Sequence, residues 1–93
     1  MNWDYIAGLL DGEGSIKIAQ RQDGFHLDIT IAITDKWTLE CCCGFTKMGN
    51  IHVAKKEALH RKTLFAWSIT NRFDAMEFAK KVVHRTIIIK EVA

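Results

Sequence analysis

The sequence predicts an α+β fold with the element order α-β-β-α-β-β-α, in which an antiparallel sheet carries the helices on one face. Three observations lead to it: apolar and polar residues alternate through residues 26–33, an Asp-Gly turn pair precedes that run, and three other segments space their apolar residues as helices do. No Pro-rich, Gly/Ser-rich or low-complexity linker divides the chain, so we expect residues 1–93 to form one domain.

The first half of the chain is predicted to be a helix, a hairpin and a second helix. Apolar spacing favours a helix from Trp3 to Leu10, with Asn2 or Asp4 as its cap and with Gly12 and Gly14 ending it. A strand begins at Ser15 and turns back at Asp23-Gly24. The return strand places four aliphatic side chains on one face, which is therefore the buried one: Leu27, Ile29, Ile31 and Ile33. Asp35 can then cap a helix that runs through Trp37 to about Met48.

The second half repeats this order. Residues Ile51–Lys56 and Lys62–Thr70 form the second predicted hairpin, with Phe65, Trp67 and Ile69 as the core face of its second strand. Asn71 or Asp74 opens the last helix, which continues toward Ile87, Ile88 and Ile89. Its apolar residues at helical spacing are Phe73, Met76, Phe78, Ala79, Val82 and Val83.

Composition excludes several classes of protein. The chain has 48% hydrophobic and 26% charged residues, which is typical of a folded globular domain. No apolar run approaches the roughly 20 residues that span a bilayer, and the N-terminus lacks a signal-peptide pattern, so we expect a soluble intracellular protein. The adjacent Cys41, Cys42 and Cys43 lack disulfide or zinc spacing and are interpreted as reduced thiols. A net charge of +2 is too small to predict nucleic-acid binding by itself.

The first helix combines small residues with acids at its end. Ala7, Gly8 and Gly12 leave one face without bulk, so a second helix can approach to backbone contact. Asp11 and Glu13 add negative charge to that of the unpaired carbonyls at the helix end, which attracts cations. A twofold axis between two such helices would place two Glu13 side chains together, and a divalent ion would stabilise them.

The segment Ile6-Ala7-Gly8-Leu9-Leu10-Asp11-Gly12-Glu13-Gly14 resembles the nine-residue motif that names the LAGLIDADG homing endonucleases. The resemblance extends to Tyr5 before the motif, to Ser15-Ile16 after it and to the predicted element order. It implies a homodimer that cleaves a long, near-palindromic site in double-stranded DNA with Mg²⁺, or another divalent cation such as Mn²⁺. The predicted dimer interface comprises Ile6, Ala7, Gly8, Leu10, Asp11 and Gly12.

The resemblance also implies roles for individual residues. Glu13 takes the position of the metal-binding catalytic carboxylate, and Gly12 offers its backbone carbonyl to the metal. Asp35, or Thr34 beside it, and Lys90 resemble peripheral catalytic groups of the family. Asp35 can equally serve only as a helix cap.

The family lays its sheet in the major groove of DNA, so the polar faces of the two hairpins are the predicted DNA-binding surface. In the first hairpin this surface comprises Lys17, Ala19, Arg21, His26, Asp28, Thr30 and Ala32. In the second hairpin, alternation buries Ile51 and Val53 and exposes the opposite face. The predicted DNA-binding residues there are His52, Lys55, Lys56, Arg61, Lys62, Ala66 and Ser68. The basic cluster from Lys55 to Lys62 is expected to grip phosphates.

Two alternatives remain open at this stage. A catalytically silent LAGLIDADG module, acting as an intron-splicing maturase or a DNA-binding regulator, would keep the glycines and strands and lose the carboxylate. A small sheet-based protein-binding domain would explain the aliphatic strands but not the glycines around Glu13. The resemblance implies neither a membrane partner nor a small-molecule substrate. It places the protein in the cytoplasm of a bacterium or phage-infected cell, or in an organelle.

Overall fold

The computed structural model describes residues 1–85, and its elements follow the predicted order. The strands form one antiparallel sheet in the order β1-β2-β4-β3. The predicted α+β architecture is thereby confirmed. The elements are α1 (Trp3–Glu13), β1 (Gly14–Arg21), β2 (Gly24–Ile33), α2 (Lys36–Thr46), β3 (Asn50–Lys55), β4 (Leu64–Ile69) and α3 (Arg72–Val82).

Each helix begins at a side chain that accepts a backbone N–H of the first turn. Asn2 Oδ1 accepts from Tyr5 N at 2.8 Å, Asp35 Oδ1 accepts from Thr38 N at 3.4 Å, and Asn71 accepts from the first turn of α3. Asn2 is therefore the cap of α1, and Asn71 rather than Asp74 is the cap of α3.

The end of α1 differs from the prediction. The helix continues through Gly12 to Glu13 and ends at Gly14, whose backbone N–H donates to Leu10 O. A Cβ on Gly14 would lie 2.5 Å from Leu10 Cδ1 and 2.7 Å from Leu10 O, so the chain requires a glycine where it leaves the helix. Gly12 has helical neighbours on both sides and does not end the helix. Strand β1 follows α1 with no loop between them.

The core lies between the helices and one face of the sheet. Strands β2 and β4 supply its centre with the aliphatic and aromatic side chains predicted to be buried, and the helices cover them. Trp67 packs edge-on against Phe78, with ring centroids 5.8 Å apart, and Trp3 packs against Phe78 in the same way at 5.5 Å. The fully buried residues include Ile6, Leu10, Ile29, Ile31, Leu39, Cys42, Trp67, Ile69, Phe78 and Val82.

Three apolar residues of the predicted pattern are exposed instead. Phe73 is 78% exposed because it lies five residues from the buried Phe78, about 140° away around the helix. Met76 is half-exposed for the same reason, since it lies about 160° from Phe78 on the helical wheel. Val53, expected to be buried, is largely exposed because β3 is an edge strand that the helices cover incompletely.

The three cysteines are free thiols, as predicted. Cys42 is fully buried, while Cys41 and Cys43 are half-buried. Burial is the main cause that raises the pKa of the Cys42 thiol to about 11. Within residues 1–85, no helix is long and apolar enough to cross a membrane.

Candidate nucleic-acid interface and metal site

The sheet has one face against the helices and one open face. Paired residues share a face, so the register identifies the open one: Lys17 pairs with Asp28, Thr30 with Ser68, and Ala66 with both Ala32 and His52. The hydroxyls of Thr30 and Ser68 lie 3.5 Å apart across β2 and β4. The open face therefore offers charged groups, hydroxyls and methyl groups side by side on four strands.

Most residues predicted to bind DNA lie on this open face. Lys17 and His52 are exposed, while His26, Asp28, Thr30, Ala32 and Ser68 are half-buried among their neighbours. Ala19 and Arg21 pair through their backbones with His26 and Gly24. Ala66 is a correction: it was expected to be exposed and is only 2% exposed. The cause is its small side chain on β4, which is flanked by β2 and β3.

A bulge in β3 changes which lysine belongs to the open face. Val53 pairs with Phe65 of the core face, but the next paired residue is Lys55, which lies opposite Leu64. Ala54 is the extra residue, and one extra residue reverses the alternation of side chains beyond it. Leu64 belongs to the same series as Ala66 and Ser68, so the bulge brings Lys55 to the open face.

The connection from β3 to β4 is held by its own hydrogen bonds. Arg61 Nη2 donates to Lys56 O at 2.9 Å, and Glu57 N donates to Thr63 Oγ1 at 3.1 Å. Ala58 and Arg61 exchange two backbone hydrogen bonds across the turn. The basic side chains of Lys56, Arg61 and Lys62 are exposed on this ordered connection. A fixed connection presents them to a polyanion at less entropic cost than a disordered one would.

The candidate metal site lies where α1 meets β1. Glu13 is exposed at the last position of the helix, and the half-buried Asp11 precedes it. The last carbonyls of a helix carry partial negative charge, so this end combines carboxylate and carbonyl oxygen donors. Among residues 1–85, no three His, Cys, Asp or Glu side chains are grouped closely enough to hold a metal ion.

The predicted dimer interface needs correction. Ile6, Ala7 and Leu10 are buried in the core of their own chain and leave no surface for a partner. The cause is the phase of the helix, because these residues fall on the face that packs on the sheet. Gly8 and Gly12 lie on the exposed face, and a Cβ built on either one has no atom within 4 Å in the part of the chain that the structure describes. Tyr5 is half-exposed on the same side of the helix.

Solved structures of DNA-cleaving enzymes share this fold of three helices on a four-stranded antiparallel sheet. The LAGLIDADG meganuclease I-AabMI bound to uncleaved DNA matches with a TM-score of 0.68 and 25% identity, covering 90% of this chain and 29% of that one. The archaeal intron-encoded homing endonuclease I-Vdi141I complexed with DNA matches with a TM-score of 0.66 and 19% identity, covering 95% and 59%. I-CvuI, in complex with the I-CreI target in the presence of 2 mM Mg, matches with a TM-score of 0.70 and 14% identity, covering 97% and 62%.

The chain has the LAGLIDADG homing-endonuclease fold. These matches cover 90%, 95% and 97% of this chain, so the resemblance seen in the motif is confirmed over nearly its full length. The chain spans less than two thirds of the length of each of these three structures. It matches no protein-family model and no curated protein.

Asp35 and Lys90 are the residues predicted to assist catalysis beside Glu13. Asp35 uses both carboxylate oxygens in the cap of α2, where Oδ1 accepts from Thr38 N and Oδ2 accepts from Thr38 Oγ1 at 2.8 Å. Asp35 is thus the cap of α2, and its part in catalysis stays a prediction. Lys90 lies outside the described residues.

The LAGLIDADG fold also places on the open face two residues that are absent from the predicted DNA-binding set. Asn50 pairs with Ser68, and Ser15 pairs with Thr30, so both belong to the open face. Ser15 follows directly from the alternation of Lys17, but it was interpreted only as the start of a strand. Asn50 lies just before the predicted second hairpin, and only the pairing of β3 with β4 shows that it belongs to the sheet.

Proposed function

We propose that the protein is a site-specific double-strand DNA endonuclease that works as a homodimer on a near-palindromic target, with Mg²⁺ or a similar divalent cation. The observation that carries the proposal is the position of Glu13. Its exposed carboxylate lies at the end of α1, next to an open glycine face and at the start of the strand that leads into the open face of the sheet.

The glycines of α1 support the homodimer. An internal glycine costs a helix roughly 1 kcal/mol relative to alanine, and packing among residues 1–85 requires neither Gly8 nor Gly12. Close contact with α1 of a second copy would explain why both positions are glycine, because a side chain at either one would hold the two helices apart. A twofold axis at that contact brings the two Glu13 residues together.

The donors at the end of α1 suit a hard divalent cation. Glu13 would bind the metal through its carboxylate and Gly12 through its backbone carbonyl, while Asp11 adds to the negative field. A bound divalent ion in such a site lowers the pKa of water and neutralises charge on the phosphate. Glu13 performs two functions in this proposal, since it holds the cation and orients it toward DNA lying on the sheet. Lys90 remains a proposed contact to the scissile phosphate.

The open face of the sheet would read DNA. I-AabMI, I-Vdi141I and I-CvuI are all described as DNA complexes, and they share the sheet described above. Lys17, His52 and Ser68 offer donors and acceptors for base edges, and Lys55 together with the connection from Lys56 to Lys62 offers cations for phosphates. Residues 1–93 would act as one half of the active dimer. The expected location is intracellular, because the substrate is genomic or phage DNA.

The first test is cleavage of a library of randomised duplexes by the wild-type chain and by Glu13→Gln, with Mg²⁺ and separately with Ca²⁺. Glu77→Gln is the matched control, because it makes the same change at an exposed position on α3, away from the end of α1. We expect paired cuts about a twofold-symmetric sequence with the wild type and Glu77→Gln in Mg²⁺. We expect a loss of at least about 100-fold in rate with Glu13→Gln, because the metal ligand is neutralised.

The outcomes separate the candidate functions. Paired cuts that persist unchanged in Glu13→Gln would refute the role of Glu13. Enrichment of a DNA sequence without cleavage under either metal would favour the catalytically silent binding module. No retention of DNA at all would refute both readings and leave only the fold.

A further inference from the structure

A contact at the tip of the first hairpin links the open face to helix α3. His26 Nε2 lies 2.8 Å from Asp23 Oδ1, and the other carboxylate oxygen of Asp23 lies 3.7 Å from Arg72 Nη1. His26 belongs to the open face of β2, and Arg72 is the first residue of α3. Asp23 therefore connects a candidate DNA-contacting ring to the helix layer behind the sheet.

The carboxylate determines which ring nitrogen carries hydrogen. The pKa of Asp23 is held below its ordinary value by the hydrogen bond with His26 and by other contacts that include Arg72, so the group is ionised at neutral pH. An ionised carboxylate only accepts hydrogen bonds. Nε2 of His26 must therefore be the donor, and Nδ1 is left as the nitrogen that can meet DNA. In the neutral ring Nδ1 is an acceptor, and in the charged ring it is a donor.

We propose that Asp23 is a positioning residue for base recognition by His26. This inference rests on the proposed function. By accepting from Nε2, Asp23 holds the ring so that Nδ1 addresses one base edge in the major groove. Neutral His26 selects an exocyclic amino group, that of adenine or cytosine, and protonated His26 selects the acceptors of guanine.

Two observations favour a base edge over a phosphate. The side chain of His26 is only 11% exposed, so it is held within the sheet surface rather than extended from its rim. The acids Asp23 and Asp28 lie beside it on the hairpin, and both would repel a phosphate. Two other charged residues lie near this end of the hairpin: Lys17 of β1, which pairs with Asp28, and Arg72 at the start of α3. Arg21 of β1 pairs through its backbone with Gly24 of β2.

The chain offers a matched set of variants. Asp23→Asn keeps the size of the side chain but can donate as well as accept, so it no longer fixes the ring tautomer. His26→Ala removes the reading group. Arg72→Ala removes the other partner of Asp23 and leaves the contact between Asp23 and His26 intact. Thermal unfolding of all four proteins checks that each variant is folded.

The first readout needs no DNA. Nitrogen-15 NMR spectra of the imidazole rings, assigned by comparison with His26→Ala, report which nitrogen of His26 carries hydrogen at about pH 8.5. We expect hydrogen on Nε2 in the wild type and in Arg72→Ala, and a mixture of tautomers in Asp23→Asn. Hydrogen on Nδ1 in the wild type would overturn the proposal.

The second readout is selection of bound duplexes from the randomised library at about pH 5.5 and about pH 8.5. The wild type and Arg72→Ala should change their preference at one symmetric pair of positions from A or C toward G as pH falls. The expected change is roughly three- to tenfold, as for one hydrogen bond, and it should disappear in Asp23→Asn and His26→Ala.

The same pH response in Asp23→Asn as in the wild type would refute the positioning role while leaving the endonuclease proposal intact. Failure of the wild type to enrich any DNA would instead refute the proposed function, and base recognition by His26 with it. The tautomer result separates these two failures, because it is measured on the free protein.

Discussion

The indole Nε1 of Trp67 donates a hydrogen bond to the carbonyl oxygen of Met48 at 2.8 Å. Trp67 lies at the centre of β4 and Met48 precedes β3, so this bond joins the buried strand to the start of the edge strand. Cys43 Sγ also approaches Met48 O, at 3.4 Å. Contacts from β4 and from α2 to the carbonyl of Met48 therefore hold the connection between α2 and β3 against the core.

Replacing Trp67 with Phe tests this junction. Trp67→Phe keeps an aromatic ring but removes the donor and opens a cavity, so we expect a loss of about 2 to 4 kcal/mol in the free energy of unfolding. Urea denaturation followed by circular dichroism measures it. Trp37→Phe is the control, because Trp37 is 71% exposed, and its expected change is within about 0.5 kcal/mol. Equal losses in both variants would contradict the assigned role of Trp67.

Gly49 permits the turn beside the same bond. Its φ is 78°, in the left-handed region, and a Cβ would lie 2.6 Å from Ser68 O and 2.7 Å from Trp67 Nε1. Gly49→Ala should therefore destabilise the protein by at least about 2 kcal/mol, through backbone strain and crowding. Gly44→Ala, within α2 where a Cβ meets nothing, should stabilise it by about 0.5 to 1 kcal/mol. A tolerated Gly49→Ala in chemical denaturation would refute this account of the turn.

Features that depend on the periodicity of apolar residues could be predicted from the sequence. Features that depend on how the elements pack against one another could not. The alternation in Leu27 to Ile33 was sufficient to assign the two faces of β2, because a strand buried on one side follows a period of two. In α1, apolar spacing identified the helix but not its phase against the sheet. Ile6 and Leu10 were therefore assigned to a partner, although they complete the core of their own chain.

Two further features depend on contacts that no local pattern contains. The bulge at Ala54 is defined only by the pairing of β3 with β4, and it moves Lys55 to the open face. The carboxylate of Asp23 was interpreted as part of a turn, since its contacts with His26 and Arg72 depend on where α3 begins in space. Conversely, Glu13 was found from the motif alone, and the fold adds only its exposure.

Gly8 and Gly12 should have opposite effects on folding and on association. Gly8→Ala or Gly12→Ala adds a methyl group where a Cβ meets no atom of residues 1–85 within 4 Å, so each should stabilise the free chain by up to about 1 kcal/mol. Each should also weaken the proposed dimer by at least tenfold, because helix backbones can no longer approach closely. Analytical ultracentrifugation over a concentration series measures the association. Gly44→Ala gives the same helical gain without touching the proposed interface, so equal weakening by that variant would contradict the interface.

Cys42 should make stability depend on pH in alkaline solution. Its folded-state pKa of about 11 lies above the ordinary value of 9.0, so the folded state retains the proton that the unfolded state loses. Stability from this group is fully present below pH 9.0 and declines as pH rises to about 11. The urea midpoint should fall across this window more steeply in the wild type than in Cys42→Ala. Cys41→Ala should reduce the slope only in part, because burial is a larger cause of the raised pKa of Cys42 than the charge of Cys41. An unchanged slope in Cys42→Ala would exclude the buried thiol as the cause.

Lys55 should contribute to the salt dependence of DNA binding because the bulge places it on the open face. Each phosphate contact adds about 0.9 to the slope of log affinity against log salt concentration, and a dimer has two copies of each contact. Lys55→Ala should therefore lower the slope by about 2 on a selected target, as measured by fluorescence anisotropy between about 50 and 200 mM salt.

Lys80→Ala is the control. It removes the same charge from an exposed position on α3, on the helix side of the sheet, and should leave the slope unchanged. Equal slopes for the wild type and Lys55→Ala would mean that Lys55 does not contact phosphate, despite its place on the open face. An equal fall in both variants would mean that net charge alone, rather than the face created by the bulge, sets the response.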